Sequence, residues 1–581
     1  RDLGRPAGEI TVESGSVKHK KSGKTASFGA LAEKAAGLPM PSDVKLKDPK
    51  DFKLIGKVLP RKDSPDKARG KAIFTIDMKL PGMLTAVVAR PPRFGGKVKS
   101  FDAAAAKQVP GVVDVVQIPT GVAVLGNGFW AAKSGRDALT VEWDETDAEK
   151  RGTDDILKDY QALLDKPGTV ARNDGDAEAA LKGAAKTVEA VFEFPYLAHA
   201  PMEPIDCVVQ LGADKCEIWS GCQFPAIDHP VAVAVSGLKP EQVVINTLYA
   251  GGSFGRRATP SGDFTFEAVS IAKAIEGRAP VKLIWTREDD IRGGQYRPLY
   301  VHKVRAGIDK DGKIAGWHHR IVGQSILGGT PFEAMLVKHG IDETSVEGAS
   351  NTPYKIPNFY LDLHTTKTGV PVLWWRSVGH THTAYVMETV IDELAEAAGK
   401  DPVEFRRGLL ADHPRHLGVL NLAAEKAGWG QPLPEGVERG IAVHESFSSY
   451  VAQVIEARLV DGKIKVERVV CAVDCGVPVN PDVIAAQMEG GVGFGLSAVL
   501  HDEITLDGGE VQQSNFHDYV PLRINEMPKV EVHVVPSAAD PTGVGEPGVP
   551  PTGPALANAV YRLTKERIRA LPMAKHGLTG V

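Results

Sequence analysis

The chain has 581 residues, of which 43% are apolar and 24% charged, with a formal net charge of −5 and five cysteines. Roughly 100–200 residues per domain predicts about three to five folding units, and the composition is that of an ordinary globular protein, with no electrostatic argument for nucleic acid or an anionic membrane as a partner. No uninterrupted apolar run approaches the ~20 residues of a transmembrane helix, and no charged-then-apolar leader opens the chain, so the polypeptide as given is expected to be soluble. Its start, Arg1-Asp2-Leu3-Gly4, reads like the interior of a larger protein.

Taken in order, residues 1–50 predict a small appendage. Ile10-Thr11-Val12 and Ala26-Ser27-Phe28 form a hairpin around the basic run Lys18-His19-Lys20-Lys21-Ser22-Gly23-Lys24, read as its solvated turn, and a helix over 28–36 closes at Gly37-Leu38-Pro39. Residues 51–150 predict a compact α/β domain with strands at 84–89, 112–116 and 139–143, a short helix at 103–107 and a charged surface connection over 144–152. Two larger α/β subdomains follow, 151–350 and 351–581, in which strand clusters alternate with amphipathic helices without a fixed short period. Helices are expected at 227–236, 264–274 and 385–398, from the capping-box start Asp401-Pro402-Val403-Glu404, and over 555–570, where Leu556, Val560 and Leu563 share a face.

Chemistry concentrates in a few segments. Gly543-Val544-Gly545-Glu546-Pro547-Gly548-Val549-Pro550-Pro551 holds one carboxylate, Glu546, in a stretch that forms neither helix nor regular strand. Gly543 and Gly545 permit positive φ and the prolines fix the exit, so the loop is expected to aim Glu546 as a catalytic base. Gly251-Gly252-Ser253-Phe254-Gly255 sits between a strand near 243–248 and the helix at Phe264, where backbone amides suit an anionic group. It lacks the Lys-Ser/Thr ending of a P-loop, and such a turn is by itself more often structural. Arg376, in Trp374-Trp375-Arg376-Ser377-Val378-Gly379-His380-Thr381-His382, either meets anionic oxygens bidentately or closes a structural ion pair. His380 and His382 have no acidic or cysteine partner at ligand spacing, which disfavours a metal there. Gln223 is by composition a turn glutamine and Glu203 a capping carboxylate. Cys207, Cys216, Cys222, Cys471 and Cys475 include no C-x-x-C pair, so the chain is a poor host for an iron–sulfur cluster, and its electrons would leave through another protein.

In this order, Gly251–Gly255, Arg376, Asp474-Cys475-Gly476-Val477-Pro478-Val479-Asn480-Pro481, Gln487-Met488-Glu489-Gly490 and Gly545-Glu546 resemble the large, molybdopterin-binding subunit of the xanthine dehydrogenase and aldehyde oxidase family, with the pattern of its isoquinoline 1-oxidoreductase and bacterial aldehyde dehydrogenase branch. The resemblance runs from about Asp51 to the end. It implies a mixed α/β architecture, a hammerhead-type domain (56–143) followed by large molybdopterin-binding subdomains, and an oxidative hydroxylation of an N-heteroaromatic or aldehyde substrate with water as oxygen source. Residue by residue it implies that Glu546 is the active-site glutamate, that Gln223 stands beside the metal's apical oxo group, and that Gly251, Gly252, Phe254, Gly255, Arg376, Gln487 and Gly545 surround the cofactor, with no side chain ligating the metal directly. Trp374 and Trp375, with Phe254, wall a flat substrate pocket or are core. The implied cofactor is molybdenum on molybdopterin cytosine dinucleotide. The implied partners are a small 2Fe-2S subunit and, in this branch, a cytochrome c subunit, in the periplasm. One departure stands out: the family's Met-Gly-Gln-Gly segment and a later Ser-rich turn are missing, since Val451-Ala452-Gln453-Val454 leads to Cys471 through only Asp461-Gly462. A further polypeptide or an amino-terminal part is therefore expected to complete the cofactor cradle. The alternative is a non-catalytic scaffold or assembly subunit that keeps the fold.

Overall fold

The computed structural model describes residues 7–581, so the Arg1–Gly4 start lies outside the described residues. The chain divides into two compact units, Arg1–Ile55 and Gly56–Val581. In the first, strands Ile10–Glu13, Ser16–His19 and Thr25–Ser27 make an antiparallel sheet. The basic run is therefore not one turn, because Lys18 and His19 belong to a middle strand. Ser14 and Gly15, both at positive φ, make the tight turn that creates it. Helix Phe28–Ala36 starts where expected, with the Ser27 hydroxyl accepting the Ala30 amide at 3.1 Å.

The second unit is built on three main sheets. The largest runs in the order Val243–Thr247, Cys216–Ser220, Asp206–Leu211, Val281–Ile284, Leu84–Ala89, Gly121–Gly126, Val112–Ile118. Its joint is the parallel pairing of Leu84, Thr85 and Ala86 with Val281, Lys282 and Leu283, so strands from both sides of the expected division at 150 share one sheet. Helices Pro225–Ser236 and Asp263–Ala274 pack beside it around Ile218, Ala232, Phe264, Ala268 and Leu283. A five-stranded sheet orders Lys186–Phe194, Tyr300–Ile308, Ile314–Gln324, Phe359–Thr366 and Thr169–Asp174. A four-stranded sheet orders Val437–Ser446, Ser449–Val460, Lys463–Asp474 and Lys529–Val534. Helices His380–Ala397 and Thr552–Thr564 close one hydrophobic core between these two sheets, again across the expected division at 350. Asp401 caps helix Pro402–Leu409 by accepting the amides of Val403 and Glu404, with Pro402 opening it. The 144–152 connection is less exposed than its charge suggests, because Glu149 is buried, paired with Arg151 at 2.7 Å and accepts the Gly369 amide at 2.8 Å.

Helix Pro481–Leu500 is long and apolar enough to cross a membrane by length and composition, although Asp482, Gln487 and Glu489 interrupt its apolar run. Its packing is that of a core helix: Gly491 lies against Gly548 and Gly495 against Thr552, where a Cβ on either would come within 3.0 Å. All five cysteines are buried free thiols.

Three buried acids set a pH dependence. Burial pushes Asp206 up to about 8 and Asp228 and Asp502 up to about 7. The folded chain therefore holds protons that the unfolded chain has lost above about pH 4, so these groups stabilise the fold most at low pH, and their contribution disappears as pH rises toward 8. The thermal midpoint is expected to fall between about pH 5 and about pH 8, and Asp206→Asn to flatten that slope in thermal scans across the range.

Candidate active site

The Glu546 loop is irregular backbone held by groups distant in sequence. Ser449 Oγ donates to Gly543 O at 2.7 Å, Arg376 Nε to Gly545 O at 2.8 Å, Ser377 Oγ to Glu546 O at 2.8 Å and Gln453 Nε2 to Gly548 O at 2.8 Å. Gln453 is fully buried, and its Oε1 accepts from Thr552 Oγ1 at 2.8 Å. Four anchors of this kind, at 543, 545, 546 and 548, define the loop's path, and positive φ does not: neither Gly543 nor Gly545 adopts it, contrary to expectation. Gly548 is needed instead for contact, because a Cβ there would sit 3.2 Å from Met488 Cα. The Glu546 carboxylate accepts the Ser377 amide on Oε2 at 2.7 Å, while Oε1 has no protein donor among the described residues. Burial raises its pKa, opposed by the Ser377 amide and the Arg376 charge.

Facing it is the 251–255 turn. Glu203 is more than a cap: it is buried, and its carboxylate accepts the amides of Gly251 at 2.7 Å and Ile76 at 3.2 Å. Behind it Arg257, fully buried, reaches Asp206 at 3.1 Å and Glu203 at 3.4 Å. Gly252 and Gly255 lie at φ 100 and 116, and a Cβ on Gly255 would run into Trp374 O. Gln223 Oε1 accepts from Ser253 Oγ and, at 3.2 Å, from the Gly255 amide, which leaves its NH₂ group without a protein acceptor among the described residues.

Arg376 forms no ion pair within 4.0 Å among the described residues, so the ion-pair alternative is set aside. Its guanidinium donates to Gly545 O and, at 3.2–3.3 Å, to Gln487 Oε1 and O. Burial lowers its pKa. Trp374 and Trp375 both line the same cavity, but Trp375 is 2% exposed, stacks on Phe494 at 4.3 Å and donates its indole N–H to Ala198 O, so it is a core wall. Phe254 stacks on the other side of Phe494 at 4.4 Å. Phe494 escaped the sequence reading, although Gln487, Gly490 and Phe494 fall at i, i+3 and i+7 on one helix face. Ser377 and Val378 escaped it too. They lie at φ 78 and 49 without a glycine to mark them, and for β-branched Val378 that is a strained conformation of order 1–3 kcal/mol. His380 and His382 do not meet each other: His380 Nδ1 lies 2.8 Å from His444 Nε2, and His382 Nδ1 lies 2.9 Å from His302 Nε2.

One cavity of about 660 Å³ brings together Gln223, Phe254, Gly255, Trp374, Trp375, Arg376, Gln487, Gly545 and Glu546. Gly251 and Gly252 are not among its lining residues, which take in this turn only from Ser253 to Gly255. The cavity offers a half-buried cation with no ion-pair partner among the described residues, an undirected amide donor and glycine backbone at Gly490 and Gly545 where the nearest atoms to a Cβ lie 3.8–4.0 Å away. That donor set fits a large anionic cofactor.

Comparison with known proteins agrees with this chemistry. Two molybdopterin cofactor-binding domains match in succession, at residues 163–409 and 420–528. The chain is 31% identical to isoquinoline 1-oxidoreductase subunit beta of Brevundimonas diminuta, over 98% of this chain and 78% of that protein. It is 30% identical to the membrane-bound aldehyde dehydrogenase [pyrroloquinoline-quinone] of Gluconacetobacter polyoxogenes, over 99% of this chain and 79% of that protein. Its fold is that of quinoline 2-oxidoreductase from Pseudomonas putida 86, with a TM-score of 0.75 at 15% identity, covering 90% of this chain and 97% of the other.

Proposed function

This chain belongs to the xanthine dehydrogenase and aldehyde oxidase family of molybdopterin-binding oxidoreductase subunits, and from that premise we propose that it is a catalytic subunit that hydroxylates an N-heteroaromatic or aldehyde carbon with oxygen from water. The observation that carries this reading is the placement of Glu546 Oε1, undonated, in a cavity whose other polar groups are Gln223, Arg376 and Gln487.

Arg376 and the backbone of 252–255 would hold the cofactor's anionic part, and the free NH₂ group of Gln223 would donate to it. When bound, the cofactor would supply the two-electron redox chemistry. Glu546 takes a proton on Oε1 while Ser377 keeps Oε2 fixed, so the base is oriented before substrate arrives. Phe254 and Trp374 line the cavity with apolar surface for a planar substrate, and Phe494 and Trp375 brace it from behind. The cytosine dinucleotide form of the cofactor, a 2Fe-2S partner, a cytochrome c subunit and a periplasmic setting belong to the same proposal, supported by the resemblance to the isoquinoline-type branch. So does a further polypeptide completing the cradle. Strands Ser449–Val460 and Lys463–Asp474 join through Asp461 and Gly462 alone, leaving no room there for the family's Met-Gly-Gln-Gly segment.

That same short turn favours the second reading, a scaffold subunit without a complete site. Oxidation of a panel of aromatic aldehydes and azaarenes with an artificial electron acceptor, on the purified assembly with its molybdenum measured, separates the two. Turnover with molybdenum present is expected. An assembly containing no molybdenum would establish the scaffold.

A further inference from the structure

Turnover leaves a proton on Glu546, which sits in a cavity walled by aromatic rings, and it has to leave before the next cycle. We propose that Glu347, His380 and His444 carry that proton away from the site to the cavity at His416 and Glu445, with water taking it across from Glu546 to Glu347. The inference rests on the reading of Glu546 as the base.

Two carboxylates share one strained turn. Ser377 N donates to Glu546 Oε2 at 2.7 Å, and two residues on, Gly379 N donates to Glu347 Oε1 at 2.9 Å. Burial pushes Glu347 up to about 8, and the nearby charges of Asp342, Glu343 and Glu546 add to the effect, so Glu347 is itself a proton carrier near neutrality. Its other oxygen, Oε2, lies 3.5 Å from His380 Nε2. His380 Nδ1 is 2.8 Å from His444 Nε2.

Both imidazoles are buried, and burial holds both below the ordinary histidine pKa. A neutral imidazole carries one N–H and one lone pair. Each ring can therefore accept on Nε2 while releasing from Nδ1, passing a proton without storing charge. Gly348 fixes the pair: at φ +81 its missing Cβ would stand 2.7–2.8 Å from Thr383 Oγ1, His380 Nδ1 and His444 Cε1.

Beyond His444 the path reaches solvent. His444, His416 and Glu445 line a small polar void of about 10 Å³, close to the room that one water needs. His416 Nε2 is buried without a hydrogen-bond partner and lies 3.8 Å from Glu445 Oε2. His416 and Glu445 also line an open cavity of about 630 Å³, with His413, Arg415 and Tyr450. The other histidine chain, His319–His302–His382, has no such outlet, because none of its three rings lines either cavity.

The test uses the molybdenum-loaded assembly carrying Glu347→Gln or His444→Gln. Gln at 347 still accepts the Gly379 amide, so the turn is kept. The first turnover is expected at the parent rate, with later turnovers slowed at least about tenfold and with a larger solvent isotope effect, as for removal of a positioned proton carrier. The infrared difference spectrum at neutral pH between the cofactor-free parent and Glu347→Gln should show the loss of one protonated carboxyl, beside those that Asp206, Asp228 and Asp502 keep in both. Steady-state rates and isotope effects within about twofold of the parent in both variants, or a difference spectrum without that loss, overturn the relay. If Glu546→Gln is inactive while both relay variants are unaffected, the relay alone fails. If Glu546→Gln turns over fully, the base assignment fails instead.

Discussion

Glu546→Gln is expected to lower turnover by about 10²–10⁴-fold, the range for losing a positioned general base, with molybdenum content and thermal midpoint near those of the parent. The separation follows from how the loop is held. Gly543, Gly545, Glu546 and Gly548 are anchored through their carbonyls by Ser449, Arg376, Ser377 and Gln453. None of these contacts uses the carboxylate, and a glutamine oxygen still accepts the Ser377 amide. What disappears is the proton acceptor at Oε1. Because burial raises the Glu546 pKa, the parent's rate should begin to fall at a higher pH on acidification than an ordinary carboxylate would give, since the base works only when ionised. Stopped-flow reduction across pH, with metal analysis on the same samples, checks both points. A Glu546→Gln protein that turns over fully would remove the base from the mechanism.

What the sequence revealed and what it hid divide along physical lines. Local signals were legible. The strand Leu84–Ala89, the helix Phe28–Ala36 and the Asp401-Pro402 helix start depend on periodicity and caps within a few residues. Glu546 was legible because it is the one carboxylate among glycines and prolines. The sheet joining Leu84–Ala89 to Val281–Ile284 was not, since that pairing spans about two hundred residues and leaves no local mark. The shape of the Glu546 loop was misattributed to glycine φ for the same reason: its determinants are Ser449, Gln453, Arg376 and Ser377, all far along the chain. Glu347 carried no motif at all, and only the Gly379 amide and the His380 ring show its place.

Arg376→Met is expected to leave the chain folded but to strip most of its molybdenum. The guanidinium is a half-buried cation whose protein hydrogen-bond partners are the Gly545 and Gln487 carbonyls and the Gln487 amide oxygen, with the Phe494 ring 5.9 Å from its carbon. With no carboxylate in hydrogen-bond contact, such a cation costs desolvation that an anion in the cavity would offset. The apo chain bears that cost, and a bound anionic cofactor recovers it. Methionine fills the stem's space beside Phe494 and removes the cost, so the thermal midpoint of the cofactor-free chain should hold or rise. Cofactor affinity should weaken by roughly 1.5–3 kcal/mol, the worth of a charge-assisted hydrogen bond, or about ten- to a hundred-fold. Arg376→Lys should fall between, because an ammonium keeps the charge but cannot span Gly545 O and Gln487 together. Molybdenum per chain after dialysis, set beside thermal scans of the cofactor-free proteins, reads the two effects separately. Full metal retention by Arg376→Met would confine the residue to bracing the Glu546 loop and leave the anionic group to be held by the 252–255 backbone.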